Sequence, residues 1–125
     1  MNQIEIQKRR NDIAKLLKTS NKIHRNCVRI NTANGLEHEL EKVRQCYLLK
    51  QQEMEFYTEA NFMYGDGRAD ILVLDLAQVI EILNGETEEE CKRKAKKYPT
   101  GLSLVMVDTW IGAMAKKKNL PSEVY

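Results

Sequence analysis

Residues 69–83 read Ala69-Asp70-Ile71-Leu72-Val73-Leu74-Asp75-Leu76-Ala77-Gln78-Val79-Ile80-Glu81-Ile82-Leu83, two nearly continuous apolar runs separated by a short polar break. Runs of this length, rich in Val and Ile, are the pattern of strands buried on both faces. The break at Asp75–Gln78 is turn-like, so Ala69–Leu74 and Val79–Leu83 are expected to form adjacent strands. Each run carries one acid, Asp70 and Glu81, and an ionised carboxylate in a buried strand is costly unless it is paired or binds a cation. The two lie eleven residues apart across one turn, a spacing that lets them stand side by side on neighbouring strands. Two adjacent carboxylates repel, and a hard divalent cation with oxygen ligands relieves that repulsion. The plainer alternatives are an Asp70–Arg68 pair and a Glu81 that reaches solvent.

Outward from this core, Glu53–Phe62 alternates, with Phe56, Thr58, Ala60 and Phe62 on one face and Tyr57, Glu59 and Asn61 on the other. It reads as a strand joined to the next through Tyr64-Gly65-Asp66-Gly67. Leu36, Leu40, Val43 and Tyr47 fall at helical spacing and are expected to face the core from a helix running to about Gln52. Thr87 and Glu90 form a capping box for a helix that ends near Lys97, before Pro99. Its acids come first (Glu88, Glu89, Glu90) and its bases later (Lys92, Arg93, Lys94), the order a helix dipole favours. Leu102–Val107 reads as a fourth strand, parallel to its neighbour because a helical crossover precedes it. Trp110–Lys118 is expected to be a terminal helix. Ahead of all this, residues 3–18 read as a helix and Thr19–Asn34 as a connector with a short strand at Cys27–Ile30. The expected organisation is a basic N-terminal arm or helix over residues 1–34 and an α/β domain over 35–125.

The chain has 125 residues, 42% hydrophobic and 30% charged, and a net charge of +2, which suits one folded domain. Charge is segregated. Residues 1–35 carry eight bases and two acids, residues 36–90 fourteen acids and four bases, and residues 91–125 eight bases and two acids. A basic–acidic–basic layout suits a protein that grips a polyanion and holds a divalent cation between the grips; solvated helix faces give the same pattern. No apolar run approaches the roughly 20 residues that span a bilayer, and no secretory leader is expected. The three cysteines, Cys27, Cys46 and Cys91, form no CxxC pair, which points to reduced thiols in a cytoplasmic, intracellular setting. His24-x-x-Cys27 with His38, Cys46 and Cys91 matches no zinc-module spacing. Cys46 and Cys91 suit core positions, as do Trp110 and Met114; a dimer seam is the other reading of the last two. Tyr57 and Tyr64 suit packing, with base stacking as the alternative.

The order from Leu36 onward is αβββαβ. With Leu36-Glu37-His38-Glu39-Leu40, Thr58-Glu59-Ala60, Gly67-Arg68-Ala69-Asp70-Ile71, Ile80-Glu81-Ile82-Leu83 and Glu86-Thr87-Glu88-Glu89-Glu90…Lys97-Tyr98-Pro99, residues 35–107 resemble the PD-(D/E)XK nuclease superfamily. Within it they are most similar to the archaeal Holliday-junction-resolvase-like branch. The resemblance implies a restriction-endonuclease-like α/β core and Mg²⁺- or Mn²⁺-dependent hydrolysis of DNA phosphodiester bonds, on branched or duplex DNA. It also implies a homodimer, and a nucleoid-associated location if the source is cellular rather than viral. Carried over, Asp70 and Glu81 are metal ligands, Glu37 is the helix carboxylate and Glu39 the second choice for it. Glu59 is a neighbour of the metal if its face points inward. Lys8, Arg9, Arg10, Arg68, Lys94, Lys96 and Lys97 are the expected DNA contacts. The family's Lys, two positions after the strand Glu, is here Leu83. Either a base has relocated, with Lys42, Lys92 or Lys96 as candidates and Lys42 assigned the catalytic place, or the site binds DNA without cutting it. The N-terminal extension is then a DNA-gripping arm or a dimerisation element.

Overall fold

The computed structural model describes residues 1–65 and 67–109; the helix expected over Trp110–Lys118, and Asp66 of the expected turn, lie outside those residues. Among the described residues, three α-helices, α1 (Gln3–Ala14), α2 (Leu36–Gln51) and α3 (Glu88–Ala95), and two short 3-10 turns accompany four strands, β1 (Phe56–Asn61), β2 (Arg68–Val73), β3 (Gln78–Leu83) and β4 (Ser103–Asp108). The strands form one mixed sheet in the order β1-β2-β3-β4. β1–β2 and β2–β3 are antiparallel, and β3–β4 is parallel from Gln78 opposite Ser103 to Leu83 opposite Asp108. The element order from α2 onward is therefore the one expected. The cap on α3 is also in place, with Thr87 Oγ1 accepting the Glu90 N–H at 3.1 Å.

Alternation along the strands sends side chains to two cores. Leu72, Leu74 and Val79 join Tyr57, Ala60 and Phe62 on one face, where Ala14 and Leu17 from the N-terminal segment also pack. Ile71, Val73, Ile80 and Ile82 join Phe56 on the other, covered by Cys46 and Leu49 of α2. Tyr57 and Phe56 thus face opposite ways, as alternation requires, but Ala60 and Phe62 share the side of Tyr57 rather than that of Phe56. The cause is Glu59, whose φ of 49° is left-handed, a conformation unusual for a side chain larger than Asn. It switches the faces of the strand and interrupts the β1–β2 ladder at Glu59; the ladder resumes in the same register, from Thr58 opposite Ile71 to Ala60 opposite Ala69.

Two further expectations are corrected. Residues 1–34, expected as an N-terminal arm or helix, pack against β1, and the strand expected at Cys27–Ile30 is absent from them. Leu17 bridges to Phe62, Asn21 clamps the kinked backbone by donating to the Glu59 carbonyl and accepting from Asn61 N–H (3.1 and 2.9 Å), and the Arg29 guanidinium donates to the same Glu59 carbonyl at 2.7 Å. The extension covers the free edge of β1, which removes a template for unwanted strand pairing. Cys27–Ile30 runs beside β1 without forming a strand, because Arg29 N–H bonds to the Thr58 side chain rather than to backbone.

The second correction concerns α2. Its Leu36, Leu40, Val43 and Tyr47 do not face the core: they are 74%, 57%, 42% and 62% exposed. The buried side carries His38, Glu39, Glu41 and Lys42 along with Cys46 and Leu49. Polar side chains can occupy that face because strand residues meet them with matching donors and acceptors.

Candidate functional site

The β2–β3 register pairs Ile71 with Ile80, Leu72 with Val79 and Val73 with Gln78. One step further it brings Asp70 opposite Glu81, and there the backbone ladder stops. Asp70 Oδ2 fills the missing rung by accepting the Ile82 N–H at 2.8 Å. The same oxygen lies 3.2 Å from His38 Nε2, and the Glu81 carboxyl is close enough for each acid to shift the titration of the other. Burial, then the charge of Asp70, pushes the Glu81 carboxyl up to about 8. Burial acts on Asp70 in the same sense but is outweighed by the bonds from His38, Glu81 and Ile82, which hold Asp70 below its usual range. Near neutral pH the pair carries one proton and one charge between two carboxyl groups.

Tyr98 closes one side. Its hydroxyl donates to Glu81 Oε1 and lies 3.2 Å from the Arg68 carbonyl. Its ring stacks at a tilt on Phe62, with centroids 5.2 Å apart. Gly67 makes room for it, since a Cβ there would sit 2.6 Å from Tyr98 Cδ1. Lys94, exposed on α3, feels the pair from solvent. Burial lowers its pKa, but Glu81, Glu86 and Asp70 more than offset this and raise it.

A second polar cluster adjoins the first. Lys42 Nζ, wholly buried, donates to Glu39 Oε1 (2.6 Å), Glu59 Oε1 (3.1 Å) and the Arg29 carbonyl (3.1 Å). Glu39 also accepts from Asn31 N–H at 2.6 Å, and Glu59 pairs with Arg68 at 3.2 Å. Lys42, Asn31 and His38 together outweigh burial and keep Glu39 below its usual pKa. His38 joins the clusters, with Nδ1 2.6 Å from Glu39 Oε2 and Nε2 on Asp70. Burial disfavours its charged form, but bonds from two carboxylates more than compensate and raise its pKa. With an acceptor at each nitrogen, the imidazolium donates at both.

The expected site residues thus divide. Asp70 and Glu81 are together, and Lys94, paired with Glu86 at 3.6 Å, acts on them through its charge. Glu59 points inward but to Lys42. Glu39 is occupied by Lys42, His38 and Asn31, and Glu37 is half-buried, with no side-chain hydrogen bond or ion pair among the described residues. Lys42 is a buried counter-ion, not a base open to substrate, and Lys92 and Lys96 are exposed on or just past α3. Arg10 is not free for a phosphate: it forks onto Asp75 (3.0 and 2.8 Å), also pairs with Glu55, and ties α1 to the sheet. Lys8, Arg9, Lys96 and Lys97 are exposed; Arg9 donates to the Asp75 carbonyl at 3.2 Å, and Arg68 is half-exposed on Glu59. Among the described residues, no three His, Cys, Asp or Glu side chains converge as a metal site, and no helix is long and apolar enough to cross a membrane. His38 and Tyr98 are the members that sequence reasoning passed over as site residues. Their signals are a His four positions before a Lys that shares its buried face, and an aromatic directly before Pro99, in the segment that leads from α3 to β4.

No family model matches the chain, and comparison with curated proteins and with solved structures gives no match.

Proposed function

We propose that this chain is a Mg²⁺- or Mn²⁺-dependent deoxyribonuclease with a PD-(D/E)XK-like core, acting on branched or duplex DNA. The observation that carries the reading is the Asp70–Glu81 pair, set where β2 and β3 part and completed near neutral pH by a proton where a cation could sit. The donor set fits a small hard cation, because Mg²⁺ is commonly held by one or two carboxylates with water and substrate phosphate completing its shell. Asp70 and Glu81 would hold it. When bound, such a cation polarises a phosphoryl oxygen and acidifies water.

The chain's own groups have separable tasks. His38 and the Ile82 N–H fix the orientation of Asp70, and Tyr98 fixes Glu81. Lys94 offers positive charge at the mouth of the pair, where charge develops on a phosphoryl group; it takes the place that Leu83 leaves empty. Arg93, Lys94 and Lys97 line an open pocket with Glu86 and Glu90, and their charges suit a passing phosphate backbone.

The test is cleavage of labelled four-way, flapped and linear DNA with Mg²⁺, Mn²⁺ or chelator. Metal-dependent cutting is expected, lost by about a thousandfold in Asp70→Ala and Glu81→Ala and reduced by about tenfold or more in Lys94→Ala. Tight binding without cutting in any metal would overturn the enzyme. A specific observation favours that second reading, a non-catalytic DNA-binding or assembly module: Leu83 is buried at the motif Lys position and Lys42 is locked into an ion-pair cluster.

A further inference from the structure

The outward face of α2 carries Leu36, Leu40, Val43 and Tyr47, all exposed. Their spacing of four, three and four residues is the a/d repeat of a coiled-coil seam, not the broader stripe of a helix lying on a core. The buried side of the helix is already occupied by the sheet and the Lys42 cluster, so this seam is additional to the fold. We propose that it is the contact between two copies of this chain, with the α2 helices antiparallel about a two-fold axis near residues 41 and 42.

Three features select a second copy. The seam is symmetric about its centre. Antiparallel pairing sets Leu40 against Val43 of the other copy and Leu36 against Tyr47, so a and d positions meet in two mirrored layers, as an isologous interface requires. The end of the seam holds a receptor for the largest knob. Ile30, Thr32, Gly35, Leu36 and Glu39 line a pocket of about 170 Å³ at the start of α2, and the Leu36–Tyr47 layer brings the partner phenol to its mouth. Charge is complementary. Glu37 and Arg44 occupy equivalent positions one heptad apart on the same flank. Antiparallel pairing places Glu37 of one copy near Arg44 of the other, twice over. Among the described residues Glu37 makes no ion pair, and Arg44, half-exposed, pairs with Glu41 at 3.1 Å.

The seam runs from Leu36 to Tyr47, roughly 16 Å of helix, shorter than a standard interface needs. The dimer is therefore reversible and concentration-dependent. This inference does not depend on the nuclease reading.

The test is sedimentation of the full chain from about 1 to 500 μM, with reductant present because Cys27 is exposed. A monomer–dimer equilibrium is expected. Leu40→Glu should weaken it by about a hundredfold, with little change in thermal unfolding at dilutions where both proteins are monomeric, since the side chain is more than half exposed within one copy. Glu37→Arg and Arg44→Glu should each weaken it by about threefold to tenfold, and the double variant should return to near the wild-type constant. A monomer throughout the range overturns the proposal. So does a dimer indifferent to Leu40→Glu, and so does a charge exchange that fails to rescue.

Discussion

Around Lys42, the buried carboxylates of Glu39 and Glu59 each receive a hydrogen bond from an ammonium, and Glu59 has Arg68 as well. Around Glu81, an equally buried carboxyl faces another acid across two strands and makes no ion pair among the described residues; a proton does what Lys42 does next door. The two clusters touch through His38, so they share nearly the same dielectric surroundings. The difference between them is one of counter-charge. A satisfied cluster fixes the position of α2 on the sheet and has nothing to gain from a ligand. The unsatisfied one is arranged so that a cation or a proton must complete it, which is the kind of perturbation that accompanies functional sites.

The largest effect should come from removing the counter-ion on the satisfied side. Lys42→Met leaves two buried carboxylates without their shared donor, a change that typically costs about 3–5 kcal/mol. Urea unfolding should show that loss. Adding Glu39→Gln and Glu59→Gln should recover most of it, because the cost lies in unpaired charge and not in the missing stem. A Lys42→Met protein as stable as wild type would mean that the cluster is not the anchor its geometry makes it.

On the other side the corresponding variant should be mild and its effect should depend on pH. The folded pKa of Glu81 is raised from 4.5 to about 8, so its contribution to stability is full below pH 4.5 and is lost as pH rises through about 8. His38, also raised, adds a loss of the same sign as pH climbs past its ordinary value of 6.5. Asp70, lowered, acts in the opposite sense and loses its contribution only under strong acid. Wild-type stability should therefore fall between pH 5 and pH 8, by on the order of a few kcal/mol. Glu81→Gln should flatten much of that fall and leave the His38 part. Mg²⁺ or Mn²⁺ added at pH 8 should raise the melting temperature of wild type and not of Glu81→Gln. Equal shifts in both would place the cation elsewhere.

This contrast was only half legible in the sequence. Asp70 and Glu81 stood out because they interrupt apolar runs, and the short turn between the runs set their register, since a hairpin leaves few ways to pair two strands. The polar side of α2 was hidden. Leu36, Leu40, Val43 and Tyr47 have helical spacing and read as core, whereas His38, Glu39 and Lys42 are buried only because Glu59, Asp70 and Arg29 meet them from elsewhere in the chain. Glu59 was hidden for a related reason. Alternation assumes that every strand residue keeps extended dihedrals, and one left-handed φ, held by Asn21 and Arg29, moves Ala60 and Phe62 to the opposite core. Local pattern reports what a segment offers, while partners distant in sequence decide which side is used.

The smallest effect tests whether Tyr98 belongs to the unsatisfied cluster or merely packs beside it. Tyr98→Phe keeps the ring against Phe62 and in the space left by Gly67, so only the hydroxyl is lost, at about 1 kcal/mol. The informative quantity is the titration of Glu81. The tyrosine hydroxyl stabilises the carboxylate and pulls its pKa down against burial and Asp70, so its removal must drive that pKa higher still. Carbon-detected resonances of the Glu81 carboxyl should show the midpoint moving to higher pH, and the pH at which added metal begins to stabilise the protein should move with it. A midpoint that stays in place would reduce Tyr98 to packing and leave Lys94 to balance Glu81 alone. An upward shift with little change in stability would show that the cost of the Asp70–Glu81 pair is adjusted by a single donor, without the full counter-charge that Lys42 supplies to its neighbours.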